Sequence, residues 1–253
     1  MNILLLGHRG YLGNYVKDRL SPDTTPQNKE YDYVINCIGK PNLEYCEDNP
    51  ESSYESNYKV VVDALNRYPS SKFIHFSSYY VYDNDGRCTE GSNTTAEYEY
   101  CKHKLLSESA VTSHGGVSFR IGKLFGISGG KKQNKLTEML LFSKGEVVLD
   151  DVKFNPVSLE QVGRAIEYEI ANSDLQGVYN LSNKGEVSHY EYGCFIRENF
   201  NPDLKIKRIK RHMRAFHNYG RFLMSCEKIE KKITLLKWQE DMIKYLEELK
   251  CTA

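Results

Sequence analysis

The stretch that decides the fold is NILLLGHRGYLGNYVKDRL, residues 2–20. Residues 2–6 are mostly apolar and predict a buried strand, whereas residues 10–20 predict a helix. Gly7, Gly10 and Gly13 have G-x-x-G-x-x-G spacing, which suits a tight turn, close approach of the backbone to a phosphate, and close packing of helix on strand. Free N–H groups at such a helix start face an anion. We therefore predict a dinucleotide-binding turn, with a plain structural turn as the alternative, formed by Gly7, Arg9, Gly10, Tyr11, Leu12 and Gly13.

Strands and helices alternate along the rest of the chain. Strands are predicted at 31–39, 72–76, 116–121, 147–149 and 177–181, and helices at 51–68, 95–111, 136–142, 159–170, 188–200 and 238–249. This alternation predicts an α/β fold, with a Rossmann-like parallel sheet covered by helices on both faces. Ligands of such sheets lie beyond the carboxyl ends of the strands. Four further residues at such an end are predicted to contact the cofactor: Asn36, Cys37, Ile38 and Gly39.

The regular alternation loosens after about residue 135. We therefore predict a dinucleotide-binding core at 1–135, followed by a small lobe at 136–253. That C-terminal part is expected to bind mainly the substrate and to send some segments back to the core.

Composition excludes several classes of function. The 253 residues include 34 basic and 34 acidic side chains, which gives no electrostatic case for binding nucleic acid or an anionic membrane. No apolar run approaches the roughly 18 residues that a membrane span needs. Seven cysteines without a C-x-x-C pair predict reduced thiols in the cytoplasm, and neither they nor the seven histidines have metal-ligand spacing.

The helix predicted at 95–111 contains the candidate catalytic residues. Tyr100 and Lys104 have Y-x-x-x-K spacing, which places both side chains on one helix face. A nearby ammonium favours the phenolate, so we expect the pKa of Tyr100 to be lowered and the phenol to exchange a proton with substrate. Ser78, at the end of the preceding strand, is expected to bind the same substrate oxygen. Tyr98 and Lys102 have the same spacing, and spacing alone does not choose between the pairs.

Two motifs resemble those of extended short-chain dehydrogenases. Residues 100–108, YCKHKLLSE, are similar to the Y-x-x-x-K-L-x-x-E of that family, and residues 76–83, FSSYYVYD, are similar to its catalytic serine segment. The resemblance implies that Tyr100 is the proton donor, Lys104 the lysine and Ser78 the hydroxyl. It also implies that Lys104 contacts the cofactor.

A narrower resemblance is to the dTDP-4-dehydrorhamnose reductases. It rests on residues 150–158, DDVKFNPVS, and on the C-terminal segments 223–229 and 237–239, and the glycine turn is also similar to that of GDP-fucose synthases. The family implies that NAD(P)H reduces a nucleotide-activated 4-keto-6-deoxysugar. Four residues are predicted to bind the substrate. Asn155 lies in the segment 150–158, Tyr79 and Lys123 lie at the carboxyl ends of predicted strands, and Arg214, with Arg221 as its alternative, is expected to reach the substrate diphosphate.

The chain departs from that family's pattern after its first helix. Only residues 21–30 stand where two further strands and a helix are usual, so the sheet should be shortened at the edge near the first strand. The usual residue that reads the adenosine ribose is then missing. Arg9 can pair with a 2′-phosphate, which favours NADP(H) and leaves NAD(H) possible. The alternative is that the Arg9 side chain is solvated.

Other interpretations stay open. The basic run 205–214 is expected to be a solvated face, although it can also bind a sugar-nucleotide diphosphate. Relatives of this fold often dimerise through the helices that correspond to 51–68 and 95–111, which leaves a homodimer open, although packing on the sheet also explains the apolar faces of these helices. An epimerase or dehydratase on the same fold, or a non-catalytic nucleotide-binding subunit, remain the alternative functions.

Overall fold

The computed structural model describes residues 1–83, 86–129, 135–210 and 222–252. The strands are β1 (Ile3–Leu6), β2 (Tyr33–Asn36), β3 (Lys72–Ser78), β4 (Gly86–Cys88), β5 (Val117–Ile121), β6 (Lys123–Phe125), β7 (Glu146–Asp150), β8 (Lys153–Phe154), β9 (Pro156–Ser158), β10 (Gly177–Leu181), β11 (Val187–Ser188), β12 (Lys205–Ile209) and β13 (Phe222–Met224). The α-helices are α1 (Tyr11–Leu20), α2 (Leu43–Asp48), α3 (Pro50–Tyr54), α4 (Val60–Arg67), α5 (Glu99–Ser113), α6 (Lys135–Phe142), α7 (Leu159–Asn172), α8 (His189–Asn199), α9 (Glu227–Glu230) and α10 (Trp238–Thr252).

Five parallel strands form the central sheet in the order β1-β2-β3-β5-β10. The parallel sheet predicted from the alternation of strands and helices is therefore confirmed. β1 is the edge strand, as expected from the short connection that follows α1.

One residue stands where a second strand would extend this edge. The N–H of Leu5 donates to the carbonyl of Asp23 at 2.8 Å, and the N–H of Asp23 donates to the carbonyl of Ile3 at 2.9 Å. Asp23 thus lies on the outer side of β1, whereas β2 lies on the inner side. The connection through α1 leads from β1 outward to Asp23, whereas the connection through α4 leads from β2 inward to β3. Because such crossovers are right-handed, α1 and α4 lie on opposite faces of the sheet.

The apolar packing shows both covered faces. Leu5, Ile35 and Ile74 are in register and share a cluster with Leu12 and Val16 of α1. Their sequence neighbours point to the opposite face, where they pack against α4 and α5 in a second cluster that contains Leu4, Val34, Phe73, Val61, Leu65 and Val111. Strands that are buried on both faces explain why the sequence reads as short continuous apolar runs.

Some helix bounds differ from the predicted ones. α5 begins at Glu99 and not near residue 95, because Thr95 donates its N–H to the carbonyl of Val81 and Thr94 bridges to Tyr82. The predicted helix at 51–68 consists of α3, a π-helical turn (Glu55–Lys59) and α4.

The C-terminal part has its own apolar cluster. Most members come from α6, β7, α8 and α10, Phe125 of β6 joins them, and β12 pairs in parallel with β7. β10 lies in the central sheet, where it pairs with β5. The boundary at residue 135 stays a prediction. Within the described residues, no helix is long and apolar enough to cross a bilayer, and no three potential metal ligands form a group.

Candidate active site

The glycine turn after β1 leaves no room for side chains at two of its positions. Gly7 has a φ of +83°, and a Cβ there would lie 2.7 Å from backbone atoms of Cys37 and Ile38. A Cβ on Gly13 would lie 2.1 Å from the Gly7 carbonyl oxygen. These contacts explain sterically why the strand, the turn and the helix need glycine at both positions.

The middle of the turn is open to solvent. Arg9 and Gly10 are exposed, and a Cβ on Gly10 would meet only the Gly7 carbonyl oxygen, at 3.4 Å. α1 starts directly afterwards at Tyr11, so the N–H groups of its first turn face this opening. An exposed glycine before a helix start fits a pyrophosphate. Leu12 is buried, and Tyr11 donates its hydroxyl to the carbonyl of Gly126 at 2.6 Å. Because both side chains are engaged within the protein, these two residues can offer a pyrophosphate only their backbone N–H groups.

The loop after β2 lies against this turn. The Asn36 side chain is buried, and its Oδ1 accepts the N–H of Ile38 at 3.1 Å. Its Nδ2 lies 3.2 Å from Nδ1 of His75, which is fully buried and whose pKa is lowered well below the usual range by burial. Cys37 donates its N–H to the carbonyl of Leu6 at 2.9 Å. A neutral histidine therefore orients the asparagine that shapes this loop.

Gly39 brings the same loop next to Lys104. A Cβ on Gly39 would lie 3.3 Å from both Nζ of Lys104 and Oδ1 of Asn57. The Asn57 amide holds the backbone of Lys40, accepting its N–H at 2.8 Å and donating to its carbonyl at 3.3 Å. Neither Asn57 nor His75 was singled out from the sequence, because a polar residue in a helix or strand has no local signal for burial.

The candidate catalytic side chains lie together at the carboxyl end of β3. Ser78, Tyr100 and Lys104 are exposed by only 6%, 4% and 5%. The Ser78 hydroxyl is hydrogen-bonded to the phenol of Tyr100, and Lys104 donates from Nζ to the carbonyl of Phe76 at 2.7 Å. The structure therefore brings these three residues to one end of the sheet, near the loop at Gly39.

The alternative pair is less buried than Tyr100 and Lys104. Tyr98 is the half-buried residue before the first turn of α5, and Lys102 is exposed and pairs with Glu99 at 3.3 Å. Residues two apart on a helix point about 200° apart, so burial of Tyr100 turns Lys102 outward.

The expected lowering of the Tyr100 pKa is wrong for this structure. Burial raises the pKa of the Tyr100 phenol, and the hydrogen bond from Ser78 offsets only part of the shift. Burial also lowers the pKa of Lys104 to about 8, with Glu108 acting in the opposite direction. The Lys104 ammonium donates to the Phe76 carbonyl. Desolvation therefore changes the pKa of the Tyr100 phenol more than the charge of this lysine does.

The predicted substrate residues lie in different settings. Tyr79 is buried and stacks on Tyr80 with ring centroids 4.4 Å apart, and burial raises its pKa to about 12. Lys123 is half-buried, with Nζ 5.8 Å from the Phe154 ring. Arg214 and Arg221 lie outside the described residues.

Asn155 is committed to the protein backbone. Its Oδ1 accepts the N–H of Met224 at 2.7 Å, and its Nδ2 donates to the carbonyl of Gly185 at 2.9 Å. Only 5% of the residue is exposed. These contacts join β13 to the loop before β11, which is a different use of the amide from the predicted contact with substrate.

The basic run is a solvated strand in its described part. β12 carries exposed Lys205, Lys207 and Arg208, and it pairs in parallel with β7. The solvated face predicted for this run is observed over these residues, whereas residues 211–214 lie outside the described part.

Comparisons with known proteins agree with this arrangement. The model of the family described as the RmlD substrate binding domain matches residues 16–251. A probable low-salt glycan biosynthesis reductase of Haloferax volcanii is 32% identical over 185 residues, 69% of this chain and 61% of that protein. A trifunctional UDP-glucose 4,6-dehydratase/UDP-4-keto-6-deoxy-D-glucose 3,5-epimerase/UDP-4-keto-L-rhamnose-reductase of Arabidopsis thaliana is 23% identical over 212 residues, 75% of this chain and 30% of that protein. The chain spans less than two thirds of either relative.

A solved structure extends the comparison over the whole fold. A dTDP-4-dehydrorhamnose reductase of Bacillus anthracis, in complex with NADP, gives a TM-score of 0.82. It is 18% identical, and the match covers 98% of this chain and 99% of that one. At this identity the likeness establishes a shared fold.

Proposed function

Because the chain belongs to the RmlD substrate binding domain family, we propose that it is an NADPH-dependent reductase of a nucleotide-activated 4-keto-6-deoxysugar. The names of the Arabidopsis relative and of the Bacillus structure, both of which denote reductases of 4-keto sugar nucleotides, support the substrate class. The observation that carries the proposal is the buried pair of hydroxyls, Ser78 and Tyr100, beside Lys104.

The proton chemistry follows from burial. A phenol whose pKa is raised stays protonated at neutral pH, so Tyr100 is ready to donate a proton to a ketone oxygen as that oxygen gains negative charge. Ser78 is hydrogen-bonded to the phenol and is placed to orient the same oxygen. A proton donor is what the reducing direction requires.

The glycine turn and the loop after β2 are the proposed cofactor site. NADPH, when bound, supplies the hydride. Gly10 and the N–H groups that begin α1 are proposed to hold its pyrophosphate, and Arg9 its 2′-phosphate. Lys104 is proposed to bind the cofactor beside Gly39, where its ammonium already lies against the loop.

Further parts of the proposal concern the substrate and the assembly. Tyr79 and Lys123 are proposed to contact the sugar nucleotide, with Asn155 supporting the segments around it. A homodimer is proposed through the outer faces of α3 and α5, where Tyr54 and Leu106 are exposed by 41% and 39%. A cytoplasmic location is proposed from the seven cysteines, all of which are free thiols.

The test compares two tyrosine variants. Tyr100→Phe removes the phenol oxygen of the buried tyrosine, and Tyr98→Phe removes that of the half-buried alternative. We expect consumption of NADPH with a panel of 4-keto-6-deoxysugar nucleotides, a fall in kcat of about 100-fold or more for Tyr100→Phe, and wild-type turnover for Tyr98→Phe.

The result also separates the competing functions. Stoichiometric loss of NADPH supports the reductase. A product formed without net loss of NADPH would make the chain an epimerase or dehydratase. Retained binding without any product would make it a non-catalytic nucleotide-binding subunit. Equal losses in the two tyrosine variants would remove Tyr100 from the proposed mechanism.

A further inference from the structure

The helix that carries the candidate catalytic residues takes its cap from another part of the chain. Tyr98, the residue before α5, makes no side-chain capping bond. The first N–H of the helix, on Glu99, donates instead to Oε1 of Glu47 in α2 at 2.6 Å. A carboxylate at this position satisfies an otherwise unpaired N–H and also interacts favourably with the helix dipole.

The same short helix forms part of the wall around the phenol. Leu43 and Cys46 of α2 are buried in a small apolar cluster with Val81, Tyr100 and Cys101. α2 therefore contacts α5 twice, through a carboxylate at its backbone and through apolar packing at the first turn. A displacement of α2 would act directly on the turn that contains Tyr100.

Tyr100 and Lys104 depend on that turn to different degrees. Tyr100 is the second residue of α5, and first turns open more easily than the interior of a helix. Lys104 lies one turn further on, and its Nζ is fixed by the Phe76 carbonyl at 2.7 Å. Loss of the cap should therefore disturb the phenol while the ammonium stays in place.

We propose that Glu47 is a positioning residue, which holds the first turn of α5 so that Tyr100 keeps its place beside Ser78. This role rests on the proposed function in so far as Tyr100 is the proton donor. The contact that carries this role is with the backbone N–H of Glu99. Its removal should affect proton transfer and leave cofactor binding almost unchanged.

The experiment uses three variants of the full chain. Glu47→Ala removes the acceptor, Glu47→Gln keeps an oxygen acceptor, and Asp48→Ala removes the neighbouring exposed carboxylate of α2. Hydrogen exchange of a peptide covering residues 98–102 reports on the first turn. Turnover and NADPH titration report kcat and the cofactor Kd separately.

For Glu47→Ala we expect faster exchange in the peptide and a fall in kcat of about tenfold, with NADPH Kd within about twofold. Glu47→Gln should recover most of both losses because its amide oxygen accepts the same N–H, and Asp48→Ala should match the wild type. Unchanged exchange in Glu47→Ala would overturn the proposal, as would equal losses in kcat and NADPH binding.

Failure of the proposed function remains distinguishable. A wild-type protein without turnover on any substrate of the panel would refute the reductase. The exchange comparison between Glu47→Ala and Asp48→Ala would then still decide whether Glu47 holds the first turn of α5.

Discussion

Gly13→Ala should destabilise the protein, whereas Gly10→Ala should leave stability almost unchanged and weaken cofactor binding. The two glycines lie in the same turn, and the new methyl groups would approach the same atom. A Cβ on Gly13 would lie 2.1 Å from the Gly7 carbonyl oxygen, and a Cβ on Gly10 would lie 3.4 Å from it. Separations under 3.0 Å essentially never occur for real Cβ atoms.

The magnitude follows from two opposing effects. Replacing a helical glycine by alanine normally stabilises by about 0.5–1 kcal/mol. Here the atom in the way is backbone that cannot rotate aside, and overpacking of this kind costs about 1–3 kcal/mol or more. For Gly13→Ala we expect a net loss of about 1–2 kcal/mol in the free energy of unfolding. Gly10 has a φ of −78°, which alanine adopts freely, so a change within about 0.5 kcal/mol is expected.

Two measurements separate the effects. Urea denaturation at one temperature gives the free energy of unfolding, and a fluorescence titration gives the Kd for NADPH. Gly10→Ala should raise that Kd about tenfold, because its methyl group enters the space through which the pyrophosphate approaches. Equal losses of stability in the two variants, or a Gly13→Ala protein as stable as the wild type, would refute the steric account of the turn.

Three further outcomes follow from the site. Folding lowers the pKa of Lys104 from 10.5 to about 8. Between these pH values the unfolded chain binds more protons than the folded one, so the contribution of Lys104 to the free energy of unfolding rises with pH. The Lys104 ammonium loses its proton as pH rises through about 8, so the Kd for NADPH should rise above that pH. Lys104→Met should abolish this lysine's pH dependence both in the free energy of unfolding, measured by denaturation, and in the Kd, measured by titration. Arg120 and Glu108 form a buried ion pair with two hydrogen bonds of 2.9 and 2.7 Å, so Glu108→Ala should lower the free energy of unfolding by about 3–5 kcal/mol in urea denaturation. The double variant Arg120→Met with Glu108→Leu should lose less, because it leaves no unpaired charge. An equal loss of stability in the two proteins would contradict the pairing. Arg9→Ala should raise the Kd for NADPH about tenfold and leave that for NADH unchanged, whereas equal effects on both cofactors would refute the 2′-phosphate contact.

Local patterns were sufficient for the main elements of the core. The apolar runs at β1, β2, β3 and β5 identify strands because both of their faces are buried, and the glycine spacing identifies the turn because its steric needs are local. The short connection at 21–30 correctly indicated that β1 lies at the edge of the sheet. The single-residue bridge at Asp23 has no signature, since its partner is a strand about 20 residues away.

Short elements escaped prediction for a different reason. α2 contains only six residues, which is too few for helical periodicity to be visible, and its helix is held by packing on α5. The two-residue and three-residue strands of the C-terminal part are equally short and depend on distant partners such as β8 with β11. Asn57 and His75 were missed because their burial depends on neighbours from other elements.

The sequence by itself determined the strand–turn–helix unit, the positions of the core strands along the chain and the Y-x-x-x-K spacing, because each depends on residues that are neighbours along the chain. Only the tertiary structure decided that Tyr100 is buried in place of Tyr98, and that desolvation raises the pKa of its phenol although a lysine lies one turn away. Both outcomes depend on which side of α5 meets the sheet and α2, and that contact joins residues about 50 positions apart in the chain.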